Sequence, residues 1–147
     1  MFKHILVPTD GSTLSGDTAL RAVDFAKAIG AKVTFFYAQP DYPAQFFGEG
    51  ALIDPTTPQQ FAKAAEATAN DILKRCEAFA KEGGVEYGLA TGPSEVPYEA
   101  IINAAQANGC DMIFMASHGR RGLAGLLLGS ETQKVLTHSK IPVLVYR

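Results

Sequence analysis

The run Met115-Ala116-Ser117-His118-Gly119, followed further on by Gly129-Ser130, has the residue types and spacing to hold a phosphate. Ala116, Ser117 and Gly119 are small, so the main chain can approach a bound group closely. Gly129-Ser130 then opens a helical pattern. A helix N-terminus presents unpaired N–H groups and partial positive charge to an anion. Ser130 supplies a hydroxyl that can cap that helix or touch a phosphate. Arg120 and Arg121 stand between the two parts and could neutralise charge. Gly122, Gly125 and Gly129 would equally suit a plain surface loop closed by an ordinary serine cap. Spacing alone does not separate the two readings.

A second loop invites chemistry. Thr9-Asp10-Gly11-Ser12 follows one apolar run directly and precedes a helical pattern. Asp10 could accept from a ribose hydroxyl or hold a metal-bridged phosphate, and Asp and Ser are also common turn and cap residues. His118 could polarise a phosphate. It has no serine or cysteine nucleophile with an orienting acid beside it in the pattern, so it reads first as a loop residue. No GxxxxGK[ST] run is present, which excludes a P-loop of the NTPase kind. No GxGxxG follows the first strand, which disfavours a dinucleotide-binding Rossmann domain.

These loops need elements to position them, and the chain supplies an alternation. His4–Pro8 is a strand. Thr13–Ile29 has Ala19, Leu20, Val23, Ala26 and Ile29 on one helical face, stopped by Gly30. Lys32–Ala38 is the second strand. Gln39–Thr57, rich in proline, glycine and aromatics, is a long irregular segment of the sort that is often functional or a packing surface. Pro58 starts a long helix carrying Phe61, Ala65, Thr68, Ile72, Cys76 and Phe79 down to Gly83-Gly84. Val85–Thr91 is the third strand. Ser94 is a candidate N-cap for the helix bearing Ala100, Ile101, Ala104 and Ala105, which Gly109 ends. Met112–Ala116 is the fourth strand, Ser130 caps a short helix, and Pro142–Tyr146 is the last strand. Strands separated by helices imply an α/β fold with a parallel sheet, doubly wound. Their continuous apolar character fits burial on both faces. Ligands of such sheets bind outside the carboxyl ends of the strands, where strand order reverses.

Size and composition set the outer limits. At 147 residues, with 47% hydrophobic and 19% charged, the chain reads as one folded domain spanning 1–147. A net charge of −2 and a pI near 5.9 argue against nucleic-acid binding. No apolar run approaches the ~20 residues of a membrane span. The opening Met1–Pro8 does not read as a signal peptide, so a cytoplasmic location is expected. Cys76 and Cys110 read as reduced, buried thiols. No Cys/His cluster has metal-ligand spacing.

Taken together, these segments resemble the universal stress protein family from end to end. ILVPTDGS at Ile5–Ser12 is similar to its first strand and loop. MASHGRRGLAGLLLGSETQKVL at Met115–Leu136 is similar to its signature, and IPVLVYR at Ile141–Arg147 to its last strand. The nucleotide-binding branch has Gly, two residues, Gly, nine residues, then Gly with Ser or Thr. Gly119, the nine residues Arg120–Leu128 and Gly129-Ser130 match, while Ala116 replaces the first glycine. A positive φ there would make the added methyl costly, and a negative φ would make it nearly silent.

The resemblance implies a five-stranded parallel sheet in order 3-2-1-4-5, a Rossmann-like adenine nucleotide-binding fold. It implies ATP or AMP as ligand, with magnesium or manganese carried along. Pro8, Thr9 and Asp10 would line the nucleotide, and Ala38 would offer backbone groups to adenine. Met115 and Ala116 would pack near adenine and ribose. His118, Gly119, Arg120, Gly129, Ser130, Glu131 and Thr132 complete the nucleotide-binding set around the phosphates. It also implies a homodimer through the C-terminal strand, whose exposed edge would need cover. The function expected is a stress-response protein acting through conformation or partner binding. Slow ATP hydrolysis would have only Asp10, His118 or Ser130 to draw on. The competing class is a dimeric module that binds no nucleotide. A phosphorelay receiver would need an acceptor Asp where Ala90-Thr91-Gly92 stands. An adenylating enzyme would need a richer glycine and serine loop than Thr9–Ser12.

Overall fold

The computed structural model of the chain describes residues 1–41, 57–119 and 127–147. Its strands are β1 (His4–Pro8), β2 (Lys32–Pro40), β3 (Tyr87–Ser94), β4 (Met112–Ala116) and β5 (Val143–Tyr146). The helices are α1 (Thr13–Ile29), α2 (Pro58–Gly83), α3 (Pro97–Ala107) and α4 (Ser130–His138). The five strands form one sheet in the order β3-β2-β1-β4-β5, and every pairing is parallel. The fold class is the one the alternation of elements implies, and the strand order is the one the family resemblance implies.

The alternation of strand side chains divides the core in two. Ile5, Val7, Val33, Phe35 and Phe114 face α1 and α2, meeting Val23, Ala26, Ile72 and Cys76. Leu6, Phe36, Ile113 and Met115 face the other way, onto Ile101 and Ala105 of α3 and Val135 of α4. Each inner strand is thus covered on both sides, which is why β1 and β4 read as unbroken apolar runs. Helix ends follow local chemistry. Ser12 caps α1 by accepting from Ser15 N, and Gly30 closes it at φ 70°. Thr57 and Gln60 form a reciprocal capping box on α2, with Pro58 behind it, and Gly84 at φ 68° ends that helix. No described helix is long and apolar enough to cross a membrane. Cys76 and Cys110 are free and buried, and burial pushes both thiols up to about 11.

Several boundaries differ from the sequence reading, among them the start of β3 at Tyr87 and of β5 at Val143. β2 continues to Pro40 and β3 to Ser94, because the two strands stay paired as far as Pro40 and Ser94. Ser94 is therefore strand, not the N-cap of α3. Its Oγ accepts from Val96 N instead, and Val96 occupies the cap position with no side-chain bond. Gly129, in extended backbone at φ −70° and ψ 159°, is the N-cap of α4, so Ser130 is the first helical residue rather than the cap. The Gln39–Thr57 segment lies mostly outside the described residues.

One buried polar pair carries a pH prediction. His4 Nε2 and Thr34 Oγ1 meet at 2.7 Å between β1 and β2. Burial, then the charge of Lys32, lowers the His4 pKa from its ordinary 6.5, against the opposite pull of Asp111 and Glu86. The folded chain thus refuses a proton that the unfolded chain accepts as pH falls below 6.5. This contribution is fully present above that value and is lost on acidification. Urea midpoints are expected to fall between pH 7 and pH 5, and His4→Gln is expected to flatten that slope.

Candidate functional site

The site starts where β1 ends. Thr9 N donates to Phe36 O, carrying the chain one residue past the strand. Thr9 Oγ1 and Ser15 Oγ meet at 3.0 Å, and Ser15 Oγ donates to Ser12 O. Gly11, at φ 79°, makes the turn that a side chain would resist. Ser12 N donates to Asp10 Oδ1 at 2.9 Å, which fixes the carboxylate. The loop is thus built by its own hydroxyls around the start of α1. Beneath it, between α1 and α2, lies a cavity of about 230 Å³ whose lining includes Thr9, Gly11, Ser12, Arg75 and Cys76.

The second half comes from β4. Ala116 ends the strand, buried and paired with Tyr146. Among the described residues no non-glycine residue has a positive φ, so the alanine carries no backbone strain. Ser117 N donates to Tyr146 O, and Ser117 Oγ lies 2.9 Å from His118 Nδ1. Gly129 N donates to Ser117 O at 2.7 Å, and Thr132 Oγ1 donates to Ala116 O at 3.0 Å. These two bonds pin the first turn of α4 against the end of β4.

The two halves touch through glycines. A Cβ on Gly119 would stand 2.7 Å from Asp10 Oδ2. A Cβ on Gly129 would stand 3.3 Å from both Ser117 O and His118 Cα, which are backbone atoms. Gly119 and Gly129 therefore serve close approach rather than unusual dihedrals. Their packing brings Asp10, the Ser117–Gly119 loop and the N-terminus of α4 together at the carboxyl ends of β1 and β4. These strands are neighbours at the point where the order reverses, the place where such sheets take ligands.

The remaining predicted residues fall as follows. Pro8 ends β1. Ala38 is half-buried near the end of β2, opposite Gly92. Met115 spends its side chain in the core with Leu6 and Val135. Ser130 is exposed at the open end of α4. Thr132 is buried and bonded to β4. Glu131 turns elsewhere: its Oε2 accepts from Tyr98 N of α3 at 2.9 Å. Arg120 lies outside the described residues. No group of three or more His, Cys, Asp or Glu able to hold a metal occurs among the described residues. Sequence reasoning passed over Ser15 and Tyr98. Ser15 had a signal, a serine three places after the Ser12 cap. Tyr98 had none, since its partner is remote in sequence.

A five-stranded parallel, doubly wound sheet with glycine-bearing loops meeting at its switch point defines a class of small α/β domains. Within it, the model of the universal stress protein family matches residues 1–147, and the chain belongs to that family. The relative MJ0531 of Methanocaldococcus jannaschii, a universal stress protein, is 31% identical over 151 residues, covering 100% of this chain and 83% of its own. The solved structure of UspA from Lactobacillus plantarum superposes with a TM-score of 0.83 at 24% identity, covering 99% of this chain and 98% of that one. A universal stress protein in complex with cAMP gives 0.70 at 24% identity, covering 99% and 97%. One from Archaeoglobus fulgidus in complex with dAMP gives 0.66 at 14% identity, covering 100% and 98%.

Proposed function

We propose that this chain binds an adenine nucleotide, ATP or AMP, at the carboxyl ends of β1 and β4. It acts in stress response through the conformation or the partner that the bound nucleotide selects. The observation that carries this is the close packing at Gly129, where a Cβ would stand 3.3 Å from the backbone of Ser117 and His118 at the N-terminus of α4. A helix N-terminus carries partial positive charge, which suits a phosphate. Asp10, fixed by Ser12 N, is placed to accept from a ribose hydroxyl or to meet a phosphate-bound magnesium or manganese. Fold-mates solved with cAMP and dAMP add support. A homodimer through β5, whose outer edge lacks a strand partner in the described sheet, belongs to the same reading.

Thermal unfolding tests it. A ligand at one hundred times its Kd stabilises the folded state by about 2.7 kcal/mol. Millimolar ATP with magnesium is therefore expected to raise the Tm by several degrees. An unmoved Tm would favour the module that binds no nucleotide.

A further inference from the structure

Helix α3 begins without a cap of its own. Val96 before it has no side-chain acceptor, and Pro97 at the first position has no N–H. The next amide, Tyr98 N, donates to Glu131 Oε2 of α4. Glu131 itself lies in the first turn of α4. One carboxylate therefore meets the positive ends of two helices, its own and its neighbour's. Lys134 holds the other oxygen, Oε1, at 3.3 Å and lies 5.7 Å from the centre of the Tyr98 ring. His138 stacks on that ring at 5.1 Å. Positions 131, 134 and 138 share one helix face. A single stripe of α4 thus clasps Tyr98.

The geometry assigns Glu131 the part of a positioning residue for the phosphate-facing end of α4, exerted by capping α3 from a distance. The assignment rests on the nucleotide reading above. Glu131 is two residues from Gly129, so whatever anchors it also anchors Gly129 on Ser117. The same bond turns the carboxylate onto α3. A carboxylate aimed at a phosphate would instead repel it.

Glu131→Ala removes the acceptor, whereas Glu131→Gln keeps one. Each is compared with the parent by calorimetry with ATP and with adenosine, and by amide hydrogen exchange without ligand. Glu131→Ala is expected to bind ATP about fivefold more weakly, the size of one lost cap. Adenosine affinity stays unchanged and the Tyr98 amide exchanges faster. Glu131→Gln restores Tyr98 protection and most of the ATP affinity. Equal or tighter ATP binding by Glu131→Ala overturns the assignment, as does an unaltered Tyr98 exchange rate. A parent chain that binds no ATP overturns the nucleotide reading and this role with it. Exchange at Tyr98, read without ligand, then reports the clasp separately.

Discussion

Gly129→Glu is expected to abolish adenine-nucleotide binding, with no calorimetric heat at concentrations that saturate the parent chain. Gly129 sits at φ −70°, which any residue adopts, so backbone strain is not the obstacle. Space is. The new Cβ would press at 3.3 Å on Ser117 O and His118 Cα, neither of which can rotate away. Relief takes a shift of a few tenths of an ångström between the first turn of α4 and Ser117, which strains the 2.7 Å bond from Gly129 N to Ser117 O. The glutamate then adds a negative charge at the helix end offered to the phosphate. Gly129→Ala carries the steric part alone and is expected to lose roughly tenfold, about 1.4 kcal/mol. Ala116→Gly is the counterpart. Ala116 is strand backbone with no positive φ, so its reversion leaves affinity unchanged. Undiminished affinity in Gly129→Glu would refute the placement of the phosphate.

The second large effect is on stability. Phe35 is 0% exposed and heads the largest fully buried side chains. It lies on β2 opposite Val7 of β1 and Leu89 of β3, facing α1 and α2. Phe35→Ala removes most of a ring from a site bounded by rigid sheet and two helices, which cannot collapse to fill it. The expected cost is about 3–5 kcal/mol. At roughly 3 °C per kcal/mol for a chain of this size, the Tm drops by about 10–15 °C. Leu20→Ala, on a residue 43% exposed, is the control and should stay within about 0.5 kcal/mol. Urea unfolding monitored by circular dichroism measures both. A Phe35→Ala loss no larger than the control's would mean that the two-sided core is not the main source of stability.

How far the sequence could be read depended on burial. β1 and β4 were bounded to the residue, because both faces of each are covered and the apolar run begins and ends with the strand. β3 lies at the sheet edge. Its side chains are only half-buried or exposed, so Val85 looked like its first residue when Tyr87 is. The same edge carried the strand through Gly92 and Pro93 to Ser94, a course set by pairing with β2 rather than by residue preference. The meeting of Asp10, Gly119 and Gly129 is legible because loops after neighbouring strands must converge at the switch point. The family resemblance is what puts Glu131 among the residues around the phosphates. Its carboxylate lies on Tyr98, and no local pattern announces a contact across thirty-three positions. Arg120 and most of the 39–57 segment fall outside the described residues.

The placement of β4 beside β1 has a temporal consequence. Ile5 pairs with Met112, and the two lie more than a hundred positions apart. A ribosome that has released the chain only as far as β3 has delivered the Thr9–Ser12 loop, while the Ser117–Gly129 partner is still unmade. Until β4 docks, β1 presents a bare hydrogen-bonding edge, and sequence-distant closures of this kind are slow steps in folding. The two halves of the candidate site therefore cannot meet before β4 has docked on β1. A ligand that needs both halves would bind no chain that ends before β4.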